Sequence, residues 1–140
     1  MIARSLQLHA EAQAVPAARG ALAGLEYELD PDVFFDVSLC VSELVAHAVC
    51  SARPEDEETF ELEISLSDGV LAAAVRDPGG RRSAIQRFKR REAESSLGLY
   101  IISRLADRWG VDAGDRRTWL ELDIASRAQA RSSALAVEEA

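Results

Sequence analysis

The sequence has 140 residues, which is enough for one folded domain and too few for two of ordinary size. Hydrophobic residues make up 48% of it, which excludes disorder throughout, and a net charge of −8 argues against a general nucleic-acid binder. We expect no apolar run near the roughly 20 residues of a membrane helix, and the N-terminus lacks the pattern of a signal peptide. The composition therefore predicts a cytoplasmic protein that does not bind membranes.

The N-terminal half predicts an edge strand followed by two helices. Residues 5–10 alternate weakly between polar and apolar types, and residues 15–25 follow an alanine-rich helical pattern. Asp30 and Pro31 suit the cap and the first position of a second, longer helix. The apolar residues of that helix recur at intervals of three and four and are expected to face a core: Phe34, Val37, Val41, Leu44, Val45 and Ala48.

The C-terminal half predicts a hairpin, a helix and a last strand. Residues 60–66 alternate like a half-buried strand, and Asp68-Gly69 is a typical hairpin turn into a second strand over 70–75. A helical pattern covers residues 97–109, and residues 118–124 alternate again.

This order of elements predicts an α+β fold. We expect a two-layer sandwich in which a mostly antiparallel sheet has helices packed on one face. Residues 1–124 are predicted to form a single domain, and residues 125–140 a flexible or weakly helical tail.

The two cysteines lie ten residues apart on the long helix. Cys40 and Cys50 point in different directions there, so a mutual disulfide is not expected, and both are interpreted as small core side chains. Glu43, His47 and Cys50 also follow a spacing that zinc ligands on one helix face can take. We treat zinc as a minor alternative, because the sequence contains no paired cysteine or histidine motif.

A short basic segment interrupts the otherwise acidic chain. It has no acid between its first and last cation, and its six cations are Arg81, Arg82, Arg87, Lys89, Arg90 and Arg91. Such a run is either a solvated loop or a loop that binds phosphates or an acidic partner. Charge alone does not choose between them.

Five short stretches carry a family resemblance by their order and spacing. They are Ser42–Val49, Val75–Gly80, Ser96–Ile102, Leu105–Gly110 and Thr118–Leu122. Over residues 5–124 the chain resembles the bacterial anti-sigma-factor serine kinases of the GHKL ATPase superfamily. The resemblance implies a GHKL ATPase-like fold, ATP and magnesium as cofactors, and a sigma factor or an anti-sigma antagonist as partner.

The resemblance also assigns roles to individual residues. Glu43 stands where the family has its general base, and His47, four residues later, stands where the family has a magnesium-binding Asn. Nucleotide-binding positions fall on Asp77, Gly79, Gly80, Gly98 and Leu99. The basic segment corresponds to the lid over the nucleotide, so its six cations become candidates for contact with phosphates.

Three departures from the family pattern predict impaired use of ATP. His47 replaces the magnesium-binding amide, although magnesium prefers oxygen ligands. Arg81 and Ser96 each replace a glycine, which restricts the backbone that a phosphate-binding turn needs. A fold can persist when the site on it is lost.

Three functions follow as hypotheses. The first is a regulatory protein that captures a sigma factor or an antagonist without transferring phosphate. The second is an active, ATP-dependent serine kinase that phosphorylates an antagonist. The third is a sensor that binds another phosphorylated ligand through the basic lid. By resemblance the protein would form a homodimer, for which the early strand and the helix over residues 15–25 are candidate surfaces.

Overall fold

The computed structural model describes residues 1–51, 59–76, 96–112, 114 and 116–127 of the chain. In this part of the chain, strands β1 to β5 run over Ile2–His9, Thr59–Ser67, Val70–Arg76, Arg108–Asp112 and Arg117–Asp123. Helices α1, α2 and α3 run over Ala14–Ala21, Pro31–Ser51 and Ser96–Leu105, and a 3₁₀ helix spans Ala23–Tyr27. A helical turn at residues 124–127 follows β5.

The strands form an antiparallel sheet in the order β1-β2-β3-β5-β4. Asp68 and Gly69 close the β2–β3 hairpin with φ angles of 53° and 75°. Both values are positive, as a two-residue type I′ turn requires, so the predicted hairpin is confirmed. β1 and β4 are the edge strands, as predicted for the N-terminal strand.

The core lies between one face of the sheet and the helices. On β2, Phe60, Leu62 and Ile64 are buried, whereas Glu61 and Glu63 between them are only half-buried. Helix α2 supplies the largest share of the opposite wall, with Val33, Val37, Cys40, Val41, Leu44 and Val45. The prediction of an α+β sandwich with helices on one face is therefore confirmed.

Helix α2 begins where the sequence indicates. Pro31 is its first residue, and the Asp32 backbone N–H donates to Asp30 Oδ1 at 3.0 Å. This bond satisfies one of the donors that a helix start leaves without an intrahelical partner. Of the six residues predicted to face the core, four are fully buried, and Phe34 and Ala48 pack against it in part.

Two predicted helices are too long. Helix α1 ends at Ala21, and a separate 3₁₀ helix continues the chain. Helix α3 ends at Leu105, so Trp109 lies in β4 rather than in a helix. Pairing with β5 explains the second error, because the Asp107 N–H donates to the Glu121 carbonyl at 2.9 Å and Trp109 stands opposite Leu120.

Two expectations about α2 are also wrong. Residues Pro31–Cys50 have a mean hydropathy of 1.7, so by length and composition alone this helix is long and apolar enough to cross a membrane. Its apolar face packs in the core of the domain, and a helix in a protein core can be equally long and apolar. Cys40 is buried and Cys50 is exposed, so only the first is a core side chain, and both are free thiols.

Candidate functional site

Helix α2 presents Glu43 and His47 beside its core face. Their spacing of four residues places them one above the other on a helix. His47 is 1% exposed, while Glu43 is half-buried. A carboxylate and an imidazole are therefore held close together at the edge of the core.

Gly98, in the first turn of α3, closes over this pair. A methyl group placed on Gly98 would lie 2.6 Å from His47 Nε2, 3.1 Å from His47 Cδ2 and 2.8 Å from Glu43 Oε2. All three distances are shorter than ordinary van der Waals contact. Gly98 does not have a positive φ, so the close approach of α3, rather than the backbone conformation, requires glycine here.

The three residues form what we call the α2–α3 site: Glu43, His47 and Gly98. Residues 43 and 98 are 55 positions apart in the sequence and meet because α3 packs on α2. The Gly98 backbone faces the imidazole edge and the carboxylate oxygen together. Glu43 Oε2 and His47 Nε2 thus both face the narrow space beside Gly98.

A model of the histidine kinase-like ATPase domain family matches residues 8–124. The chain belongs to this family. No curated protein matches the chain. Among solved structures, the chain is similar to the crystal structure of the RsbU and RsbW domains of Rv1364c from Mycobacterium tuberculosis, with 21% sequence identity and a TM-score of 0.62. The match covers 87% of this chain but 31% of that chain, so this chain spans about a third of that structure and the likeness concerns the fold.

The family assignment confirms the superfamily that the sequence motifs predicted. The site residues in described parts of this histidine kinase-like domain are Glu43, His47, Gly98 and Leu99, and Leu99 is half-buried. The remaining predicted positions lie outside the described residues: Asp77, Gly79, Gly80, Arg81, Arg82, Arg87, Lys89, Arg90 and Arg91. The roles predicted for them therefore stay predictions.

The residues of the α2–α3 site do not fit the magnesium ion that such ATPase domains use. Magnesium requires near-octahedral oxygen ligands at about 2.1 Å and usually keeps several waters. Here the His47 side chain is 1% exposed and its Nε2 edge lies close to Gly98, which leaves little room for the waters of such an ion. At the predicted magnesium position, His47 also offers an imidazole nitrogen where the ion prefers oxygen.

The zinc alternative is not supported either. Cys50 is exposed at the end of α2, whereas His47 is buried. Among the residues that the structure describes, no three His, Cys, Asp or Glu side chains form a group that could hold a metal ion.

The structure adds one contact to the site that the sequence analysis missed. Arg19 on α1 donates through Nε to Ser42 Oγ at 3.0 Å, and Ser42 is 5% exposed. Ser42 directly precedes Glu43, so α1 is fastened to α2 beside the site. The two residues are 23 positions apart on different helices, and no local pattern in the sequence could have paired them.

Proposed function

We propose that the chain is a regulatory protein of the anti-sigma-factor type that acts in the cytoplasm and makes impaired use of ATP and magnesium. It would bind a sigma factor or an anti-sigma antagonist as a protein partner. The match to the histidine kinase-like ATPase family and the fold shared with a structure that contains an RsbW domain support this class.

The observation that carries the proposal is the packing of His47. This side chain, which the resemblance assigns to the family's magnesium position, is 1% exposed and has Gly98 close to its Nε2 edge. A hydrated magnesium ion would have to displace α3 from α2 to reach this nitrogen, because the side chain is buried beneath Gly98. Binding of a protein partner through the surface of the domain needs no such movement.

We propose homodimer formation through β1. It is an edge strand of eight residues among the described strands, and its outer edge can pair with a strand of a second copy. On the helix side, Arg4 of β1 donates to the carbonyl of Ala21 at the end of α1, which ties this edge to the helix layer. The strand edge and α1 would thus form one continuous surface.

An active serine kinase is the second candidate, and the position of Glu43 favours it. Its carboxylate is half-buried and lies at the start of α3, where the family positions a general base. If α3 withdraws when ATP binds, Glu43 could accept the proton of a partner's serine hydroxyl. The two candidates differ in whether the resting protein binds ATP in a magnesium-dependent way.

Calorimetric titration with ATP, with and without magnesium, tests the proposal. We expect the affinity of the wild-type protein for ATP not to depend on magnesium. Magnesium-dependent binding at micromolar Kd, about −8 kcal/mol, would contradict the proposal and support the kinase.

The variant His47→Asn restores the oxygen ligand and is expected to increase magnesium-dependent binding. His9→Asn, at an exposed histidine on β1, is the matched control and should change nothing. If His47→Asn gives no gain, the substitutions at Arg81 and Ser96 limit nucleotide binding more than His47 does.

A further inference from the structure

Arg127 joins three parts of the chain that are far apart in the sequence. Its Nη1 donates to Asp36 Oδ2 on α2 at 3.2 Å, and its Nε donates to Asp107 Oδ2 in the α3–β4 turn at 3.3 Å. Its Nη2 donates to the backbone carbonyl of Leu105, the last residue of α3. We call this group, Arg127 with Asp36, Asp107 and the Leu105 carbonyl, the Arg127 clamp.

The clamp is partly buried around Arg127 and Asp36, and Asp107 is its most exposed member. The exposed fractions of the Arg127, Asp36 and Asp107 side chains are 21%, 32% and 35%. Asp107 Oδ2 also accepts the backbone N–H of Asp123 at 2.6 Å, so the clamp is attached to the end of β5. A cation at the last carbonyl of a helix also stabilises the helix dipole.

The clamp and the α2–α3 site lie at opposite ends of one helix–helix contact. The start of α3 meets Glu43 and His47, and the end of α3 is joined through Arg127 to Asp36, so the two helices run antiparallel. Asp36 lies seven positions before Glu43, and Gly98 lies seven positions before Leu105. Both distances correspond to about 10 Å along a helix, so the two contacts are in register.

Buried residues fill the contact between its two ends. Ile102 of α3 is 1% exposed, and Cys40 of α2 is fully buried. The charges that act on the Cys40 thiol come from both ends, namely from Arg127, Asp36, Asp107 and Glu43. Packed interiors transmit displacements because they contain few voids. A shift of α3 at the clamp is therefore expected to reach Gly98.

We infer that Arg127 is a positioning residue for the α2–α3 site: it holds the end of α3 on α2 and thereby sets how closely Gly98 covers Glu43 and His47. Arg127 acts through α3 and does not touch the site. The inference concerns the geometry of the site and goes beyond the proposed function, since it holds whether or not the site uses ATP.

The test measures how accessible the His47 imidazole is in the full chain. Diethyl pyrocarbonate modifies accessible neutral imidazoles, and mass spectrometry separates the products at His47 and His9. In the wild-type protein the buried His47 should react much more slowly than the exposed His9. In Arg127→Gln, which loses a charged network, we expect His47 to react about tenfold faster and His9 to be unchanged.

Three controls separate positioning from general loss of stability. Arg108→Gln removes another arginine that bridges two acids, Glu121 and Asp123; it borders the clamp but bonds to β5 rather than to α2 or α3, and it should leave His47 protected. Ile64→Val removes a methyl group from a buried side chain on β2, which β3 separates from β5, and shows how far a less stable fold by itself exposes His47. Arg127→Lys keeps the charge without the planar fork and should give an intermediate rate, even if Arg127→Gln does not fold.

Hydrogen exchange of the same variants completes the test. The inference requires protection to fall at α3 and at the His47 end of α2 while the β2–β3 hairpin keeps its wild-type protection. The inference is overturned if His47 labelling is unchanged in both Arg127 variants. It is equally overturned if labelling rises no more than in Ile64→Val at matched stability, because Arg127 would then stabilise the domain without positioning α3.

Discussion

Replacing Gly98 with alanine tests whether α3 closes on Glu43 and His47. The added methyl group would lie 2.6 Å from His47 Nε2 and 2.8 Å from Glu43 Oε2, whereas comparable contacts are normally about 3.5–4.0 Å. The overlap must be relieved by a shift of α3 or of the buried imidazole. Overpacking of this kind costs about 1–3 kcal/mol of unfolding free energy.

Gly20 provides a matched control on α1. Like Gly98 it lies in a helix without a positive φ, but a methyl group placed on it meets no atom within 4 Å. Alanine is favoured over glycine in helices by up to about 1 kcal/mol, so Gly20→Ala should stabilise the protein. The difference in unfolding free energy between the two variants therefore measures the cost of the close contacts at Gly98.

Urea denaturation followed by circular dichroism and by tryptophan fluorescence gives both free energies. We expect the midpoint to fall in Gly98→Ala and to rise in Gly20→Ala, with an unchanged m value. The double variant Gly98→Ala with His47→Ala should show favourable coupling, because removal of the imidazole makes room for the methyl group. If Gly98→Ala stabilises the protein as much as Gly20→Ala does, α3 does not cover the pair in solution.

Two further predictions concern the hairpin and the buried thiol. Gly69→Ala should lower the unfolding free energy by about 1–2 kcal/mol, because a side chain is strained at a φ of 75°; a stability equal to wild type in urea denaturation would contradict the type I′ turn. Burial raises the pKa of the Cys40 thiol from 9.0 to about 12, an increase that Arg127 partly offsets. As the pH rises, the unfolded chain loses this proton before the folded protein does. The thiol therefore has no effect on the free energy of unfolding below about pH 9 and lowers it between pH 9 and 12. The free energy of unfolding should fall less steeply with pH in Cys40→Ala than in the wild-type protein. Identical slopes in the two proteins would contradict the effect of burial on the thiol.

Local patterns in the sequence determined most of the secondary structure. The spacing of apolar residues on α2, the Asp30 cap with Pro31, and the Asp68-Gly69 turn are each decided by side chains close together in the chain, so they could be predicted. The end of α3 could not, because the Leu105–Gly110 stretch is also compatible with a helix. Its pairing with β5 decided the outcome, and that pairing depends on residues nine to thirteen positions away.

The candidate site divides in the same way. The sequence by itself placed Glu43 and His47 on one face of a helix, because helical periodicity alone brings residues four apart together. Only the tertiary structure decided that the Gly98 backbone closes over them and that Arg127 lies against Asp36, 91 positions away. Such contacts depend on how helices and sheet pack as complete elements. No local sequence pattern predicts that a glycine allows two helices to pack closely, or that an arginine joins three segments.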